Sequence, residues 1–191
     1  MQDVHPGGIA IGNASQGLSY QVWVCRSDGT HIYLSAPNTP EFIQLPNTNA
    51  IWVSLAFDQN ARPFIGYVTA AGTAFYYWFN TLTNQFTTTQ LPTSAKYDRI
   101  FSAVDDLRPI NLAASDIILL YVRGSTIFMR VQRDRFGVEY TLGTVPWGKM
   151  VQAYMNIKFR FQLAFQAVQV GKDAPVPPGE YNLPLGINEP S

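Results

Sequence analysis

Three stretches of this chain repeat one another, and that repetition limits the possible folds more than any other feature. In each stretch an aromatic residue followed by Val precedes a Gly-Thr or Gly-Ser turn, which leads into Ile or Phe and then Tyr or Phe. The turn glycines, Gly29, Gly72 and Gly124, are 43 and 52 residues apart. This period is typical of four-stranded antiparallel blades, which stack because one meander cannot cover both of its own faces.

The rest of the first 147 residues agrees with a chain of short strands. Apolar or alternating runs are separated by turn residues, and no segment of helical length carries a 3.6-residue apolar stripe. We place the first strand of each repeat at 9–11, 51–57 and 100–104. The sequence therefore predicts an all-β fold of antiparallel four-stranded meanders, repeated about three times and arranged as propeller-like blades or a sandwich. Three blades do not close a ring, so the stack is open or is completed by neighbouring subunits.

Residues 151–167 carry the sharpest local pattern. Apolar and polar residues alternate there for 17 residues, about three times the length of a typical strand. A hairpin without obvious turn residues and an unbroken projecting ribbon both fit, and the absence of Gly, Pro and Asp favours the ribbon. Its apolar row would cause aggregation in water unless another chain covered it. We therefore expect an assembly element, with an intersubunit barrel as one arrangement.

The composition changes abruptly after residue 170. The last segment contains five prolines, which favour an extended polyproline-like chain, yet it also contains apolar residues. A disordered tail is one interpretation; an arm docked on a neighbouring subunit is favoured. We accordingly divide the chain into a β-meander repeat domain (1–147), a long amphipathic strand or hairpin (148–170) and a Pro-rich extended arm (171–191). The predicted partner-binding residues are Met155, Ile157, Phe159, Phe161, Leu163, Phe165, Tyr181, Leu183, Leu185 and Ile187.

Charge and apolar content exclude several classes of protein. Thirteen basic residues balance thirteen acidic ones, so the chain lacks the basic surface of a protein that binds nucleic acid through many phosphates. The longest apolar run, 117–122, is far shorter than the roughly 20 residues that span a bilayer, and the N-terminus has no secretory signal. The single cysteine, Cys25, is expected to be a buried structural thiol. These features predict folding in a cytoplasm without membrane contact.

No motif for a catalytic nucleophile, a metal or a phosphate-binding loop occurs in the sequence, so we predict a non-enzymatic protein without catalytic, metal-binding or cofactor-binding residues. Asp58, Asp105 and Asp106 are the only candidate acid–base carboxylates, and turns stabilised by charge pairing explain them better. One basic cluster surrounds Asp134, and a solvated hairpin is favoured there over a contact with phosphate or an acidic neighbour. Its members are Arg123, Arg130, Arg133 and Arg135.

Residues 105–139 resemble a pattern that recurs in virion proteins of short-tailed, podovirus-type bacteriophages. The pattern is Asp-Asp with a following Arg (105–108), then Asp-Ile-Ile-Leu-x-Tyr-Val-Arg (116–123), then Gln-Arg-Asp-Arg-Phe-x-x-Glu (132–139). The resemblance implies a structural component of the virion, such as a head-to-tail adaptor or tail protein. It also implies a ring-like homo-oligomer, portal, adaptor or tail partners, and assembly in the host cytoplasm. It identifies no individual functional residue.

A carbohydrate-binding blade protein is the alternative function. A tryptophan with an exposed flat face can stack on a sugar ring, and glycan binding is expected only under this alternative. Packing between blades is the other explanation for the same residues. The candidates are Trp23, Trp52, Trp78 and Trp147.

Overall fold

The computed structural model of the chain describes residues 9–12, 21–35, 43–58, 60, 62–92, 96–97, 99–105, 116–123, 126–144, 149–155, 161–166 and 179–183. Within these residues the strands form four antiparallel sheets, each in chain order. Sheet 1 comprises β1 (Ile9–Gly12), β2 (Gln21–Ser27), β3 (Ile32–Ser35) and β4 (Ile43–Leu45), and sheet 2 comprises β5 (Ala50–Phe57), β6 (Pro63–Thr69), β7 (Ala74–Asn80) and β8 (Gln85–Gln90). Sheet 3 comprises β9 (Ile100–Asp105), β10 (Asp116–Arg123), β11 (Thr126–Val131) and β12 (Tyr140–Thr144), and sheet 4 comprises β13 (Lys149–Met155), β14 (Phe161–Gln166) and β15 (Gly179–Leu183).

The predicted repeats are the first three sheets. The strands placed at 9–11, 51–57 and 100–104 correspond to β1, β5 and β9, each of which begins a four-stranded meander. The repeated glycine lies between the second and third strands of its sheet. Gly29 and Gly72 have φ values of 90° and 79°, a left-handed conformation that glycine adopts without steric cost. The all-β fold of repeated four-stranded meanders is therefore confirmed.

Sheets 2 and 3 are inner layers, because both of their faces are buried. Along β6, Phe64 and Val68 belong to the core shared with sheet 3, whereas Ile65 and Tyr67 belong to the core shared with sheet 1. Strand β10 alternates in the same way between two cores. Burial on both faces explains why these strands read as nearly continuous apolar runs.

The first strands of successive sheets contact one another. β1 contacts β5, β5 contacts β9, and β9 contacts β13. Between β5 and β9 the indole Nε1 of Trp52 donates to the carbonyl oxygen of Ile100 at 2.6 Å, and the hydroxyl oxygens of Ser54 and Ser102 are 2.9 Å apart. Both pairs are separated by 48 residues, so the first strands of two successive repeats meet side by side. This arrangement is propeller-like.

The C-terminal stretch is not one unbroken strand, so the favoured prediction of a projecting ribbon is wrong. β13 and β14 pair antiparallel, with Met155 opposite Phe161 and Ala153 opposite Leu163. β15, which lies inside the predicted Pro-rich arm, pairs with β14 in turn. The chain thus pairs both edges of β14 and one edge of β13 with its own backbone, and the hairpin alternative is the correct one.

Sheet 4 forms a fourth layer against sheet 3. β13 lies beside both β9 and β10. Sheet 3 also carries a third core, separate from the two cores that sheet 2 shares with its neighbours. Ile118 and Leu120 in this core are almost inaccessible to solvent. A sheet that lies against β9 and β10 supplies the cover that such residues require. Within the described residues no strand of sheet 1 lies along a strand of sheet 4, and we call this order of sheets, from 1 to 4, the open arc.

Candidate functional site

The connection between β11 and β12 leaves sheet 3 and inserts an aromatic ring into the core shared with sheet 2. A 3₁₀ turn, Gln132–Asp134, is followed by Arg135 and Phe136 with φ values of 54° and 58°. Non-glycine residues seldom adopt this conformation, so the surrounding contacts must compensate for it. Phe136 is 2% exposed, and its ring centroid lies 5.0 Å from that of Phe64 and 4.8 Å from that of Tyr76.

Arg130 holds this connection in place. It is a buried charged residue, 5% exposed, on β11. Its Nε donates to the Tyr121 hydroxyl at 2.8 Å, and its Nη1 donates to the carbonyl oxygens of Phe136 at 2.7 Å and Gly137 at 3.1 Å. Its Nη2 donates to a carboxylate oxygen of Glu139 at 3.1 Å. Each of the three guanidinium nitrogens thus has an acceptor, as a buried arginine requires.

Glu139 is the acidic centre of the same cluster. Arg123 donates to its two carboxylate oxygens at 2.7 and 3.1 Å, and the Tyr121 hydroxyl donates to it at 2.5 Å. Burial raises the pKa of this carboxyl, but the hydrogen bonds and the charges of Arg123 and Arg130 together hold the pKa below its usual value. Burial and the contact with Glu139 raise the pKa of Tyr121. We call Arg123, Arg130, Tyr121 and Glu139 the arginine clamp.

The arginine clamp organises the fold and does not present a binding surface. Its two guanidinium groups share the single carboxylate of Glu139, and its acceptors include two backbone carbonyl groups. The guanidinium of Arg123 also lies 4.2 Å from the centre of the Phe128 ring. The interpretation of these arginines as a solvated hairpin is therefore wrong for Arg130 and Arg123, both of which contact an acidic neighbour, Glu139. Arg133 and Arg135 are exposed, as that interpretation predicted.

Asp58, one of the three sequence-predicted carboxylates, acts in a turn. Asp58 accepts hydrogen bonds from the backbone N–H groups of Asn60 and Arg62, both at 2.8 Å, and so shapes the β5–β6 turn. Asp105 lies at the end of β9, and Asp106 lies outside the described residues.

Asp28 has the same role in the turn between β2 and β3. Its carboxylate accepts from the backbone N–H groups of Thr30 and His31 at 2.8 and 2.6 Å and from the Tyr33 hydroxyl at 2.9 Å. The two backbone hydrogen bonds are the main reason that the pKa of Asp28 lies far below its usual value.

The described tryptophans pack against protein groups. Trp78 is 7% exposed and lies edge-on to Phe136, with ring centroids 5.6 Å apart. The guanidinium of Arg99 lies over the Trp52 ring, 4.7 Å from its centre. Trp23 packs against Phe57. Trp147 lies outside the described residues. Packing between sheets, the other explanation for these residues, is the one that the contacts favour.

The predicted partner-binding residues fall into two groups. In the register of sheet 4, Met155, Phe161 and Leu183 lie side by side across the three strands. Two positions along, Ala153, Leu163 and Tyr181 form a second such row. Phe165 lies opposite Met150. Apolar rows thus alternate with the polar row of Tyr154, Gln162 and Asn182. The remaining predicted residues lie outside the described part of the chain: Ile157, Phe159, Leu185 and Ile187.

Cys25 is buried, as predicted, and burial raises the pKa of its thiol to about 12. This thiol therefore stays protonated and unreactive in the folded protein.

No protein-family model matches this chain, and no curated protein matches it. In the residues that the structure describes, no three His, Cys, Asp or Glu side chains gather to hold a metal ion. The described part also lacks a helix with the length and apolarity to cross a membrane.

Sequence reasoning missed Tyr121, Phe136 and Glu139 as members of one cluster. One signal was available, since Arg130 is a charged residue inside the otherwise apolar end of β11. The cross-strand register places it opposite Leu119, whose side chain is in the core. A charge at such a position needs a buried partner.

Proposed function

We propose that this protein is a non-enzymatic structural component of a tailed-phage virion, a ring-forming head-to-tail adaptor or tail protein that folds in the host cytoplasm. The observation that carries the proposal is the open arc of four sheets. Closed propellers join their first and last blades, whereas here sheets 1 and 4 do not lie along each other in the described residues. An open stack leaves its end sheets available to neighbouring subunits, portal or tail proteins.

The resemblance in residues 105–139 adds a second line of support. Two of its three parts, 116–123 and 132–139, contribute β10, the β11–β12 connection and three of the four members of the arginine clamp. The resemblance is thus concentrated in residues that fix the relation of sheet 3 to sheet 2. A rigid relation between layers is what a virion component needs to build rings of fixed copy number.

The uncovered apolar ribbon no longer supports assembly, because 149–155 and 161–166 pair with each other. Assembly would instead bury the outer faces and edges of the arc. Strand addition supplies main-chain hydrogen bonds, and a standard interface buries about 1,600 Å² in total.

Native mass spectrometry and negative-stain electron microscopy of the purified chain test this proposal. We expect rings of one fixed copy number, formed by the chain alone or with the portal, adaptor or tail proteins encoded beside its gene. A chain that stays monomeric in both settings at every concentration would contradict the proposal. Turnover of a polysaccharide by the purified chain would contradict its non-enzymatic part.

A further inference from the structure

The outer edge of sheet 2 differs from the outer edges of sheets 1 and 3. β4 has only three residues and is followed by Pro46. The pairing of β11 with β12 is interrupted by a register shift between Ile127 and Phe128. Short edges, prolines and bulges are devices that prevent strands of different molecules from pairing. β8 has six residues, pairs with β7 without a register shift, and ends its sheet.

β8 also lacks charges, which are the other common protection of an edge. Residues 63–95 contain no Asp, Glu, Lys or Arg, a run of 33 residues that includes the whole of β6, β7 and β8. Gln85, Phe86, Thr88 and Gln90 on β8 are exposed, and Leu82 in the preceding turn is 64% exposed. A regular, uncharged edge with exposed apolar groups is a template for another strand.

The backbone of β8 indicates which groups are available at this edge. The N–H of Leu91 donates to the carbonyl oxygen of Ala74, so residue 91 directs its backbone groups toward β7. Backbone direction alternates along an antiparallel strand. Phe86, Thr88 and Gln90 therefore direct their N–H and C=O groups away from β7, toward the open edge.

We propose that β8 is a docking edge for β8 of a second copy of this chain, with the two strands antiparallel about a two-fold axis at Thr88. In this register Thr88 of each copy exchanges two backbone hydrogen bonds with the other. Phe86 pairs with Gln90 of the second copy, and Thr87 pairs with Thr89. Two copies of this strand can pair because neither carries a charge that would repel the other. In this register threonines of one copy face threonines of the other, and such cross-strand pairs are favourable.

This inference is independent of the proposed virion role, because it uses only the backbone and charges of one edge. A single pair of six-residue strands buries less than a standard interface. The association is therefore weak, and its extent depends on the protein concentration.

Sedimentation equilibrium over a wide concentration range tests the proposal. We expect the average mass of the wild type to rise from that of one chain toward that of two. Thr88→Pro removes an outward N–H while keeping the hydrogen bonds to β7, and Thr88→Lys places two like charges at the axis. Both substitutions should weaken the association at least tenfold, with circular dichroism unchanged. Thr141→Lys, which adds the same charge at an exposed position of edge strand β12, should leave it unchanged.

A crosslink gives a second measurement that does not depend on the strength of association. Facing residues that exchange hydrogen bonds have Cα atoms about 5.5 Å apart, within the range that a disulfide spans. Thr88→Cys should form a disulfide-linked dimer on mild oxidation, whereas Thr141→Cys should not. A wild type that remains a single chain, or association equal in Thr88→Lys and wild type, would overturn the inference.

Discussion

Glu139 is bound by three side chains, and the charge that it balances on Arg130 is buried. Glu139→Gln keeps the shape of the side chain but leaves that guanidinium without its counter-charge. We expect the free energy of unfolding to fall by about 1–3 kcal/mol, the usual cost of leaving a buried polar group without its partner. Urea denaturation measures this change. Arg135→Gln, at an exposed position of the same connection, is the control and should change stability by less than about 0.5 kcal/mol.

The difference in unfolding free energy between wild type and Glu139→Gln should change with pH in one direction only. The pKa of Glu139 is lower in the folded protein than its usual value of 4.5, so its stabilising contribution is present above that value. It is lost as the pH falls through the folded-state pKa. The difference in unfolding free energy between wild type and Glu139→Gln should therefore be largest near neutral pH and shrink in acid. A difference that grew on acidification would contradict the assignment of the charge.

Gly66 on β6 lies opposite Ser54 of β5 and close to Ile100 of β9. A Cβ atom at this position would lie 2.9 Å from the Ser54 hydroxyl oxygen and 3.0 Å from a methyl carbon of Ile100. Gly66→Ala should therefore destabilise the protein by about 1–3 kcal/mol through overpacking. Gly143→Ala is the matched control, since its Cβ would meet no atom within 4 Å. Equal thermal stabilities of the two variants would show that the strands separate readily.

At the scale of elements, the sequence predicted those strands and turns that depend on residues close together in the chain. The turns of the first two repeats need glycine at φ of 90° and 79°, and that requirement leaves a recurring pattern in the sequence. The C-terminal hairpin could not be predicted in this way, because no glycine, proline or aspartate marks a turn between 151 and 167. The hairpin is favoured by residues distant in the sequence, namely those of the second apolar face of sheet 3, which it helps to cover.

The arginine clamp was unpredictable for a related reason. Its members come from β10, β11 and the chain just before β12, and their contacts depend on strand register. The path of the chain back to Glu139 depends on two left-handed residues, Arg135 and Phe136, neither of which is a residue type that favours that conformation. A sequence pattern does not record such a path.

The β11–β12 connection is predicted to depend on the ring of Phe136. Phe136→Ala should cost about 3–5 kcal/mol, because it leaves a cavity among Phe64, Tyr76 and Trp78 and removes the compensation for the backbone conformation. Urea denaturation gives the loss of stability, and tryptophan fluorescence reports on Trp78. Val138→Ala, in the same connection but 47% exposed, should change stability by less than about 0.5 kcal/mol. A similar effect of both variants would contradict the role of the buried ring.

At the scale of the whole molecule, sheets 2 and 3 are stable layers only when both of their faces are covered. Sheet 1 covers one face of sheet 2, and sheet 4 lies against the far side of sheet 3. Buried residues such as Ile118, Leu120 and Ile127 therefore require β13, which lies beside β9 and β10, to stay in place in a single chain. The same strand would be available to a neighbouring subunit only if it left sheet 3.

Hydrogen exchange separates these two situations. If sheet 4 is the chain's own fourth layer, the amides of 149–155 and 161–166 are protected at high dilution, and protection does not change with protein concentration. If a neighbouring subunit supplies the cover, protection appears only in the assembled protein. We expect the first result, with the amides of β10 and β11 exchanging most slowly because they are buried between two layers. The buried strand β6 serves as the reference in both states, since its protection arises from sheets 1 and 3 alone.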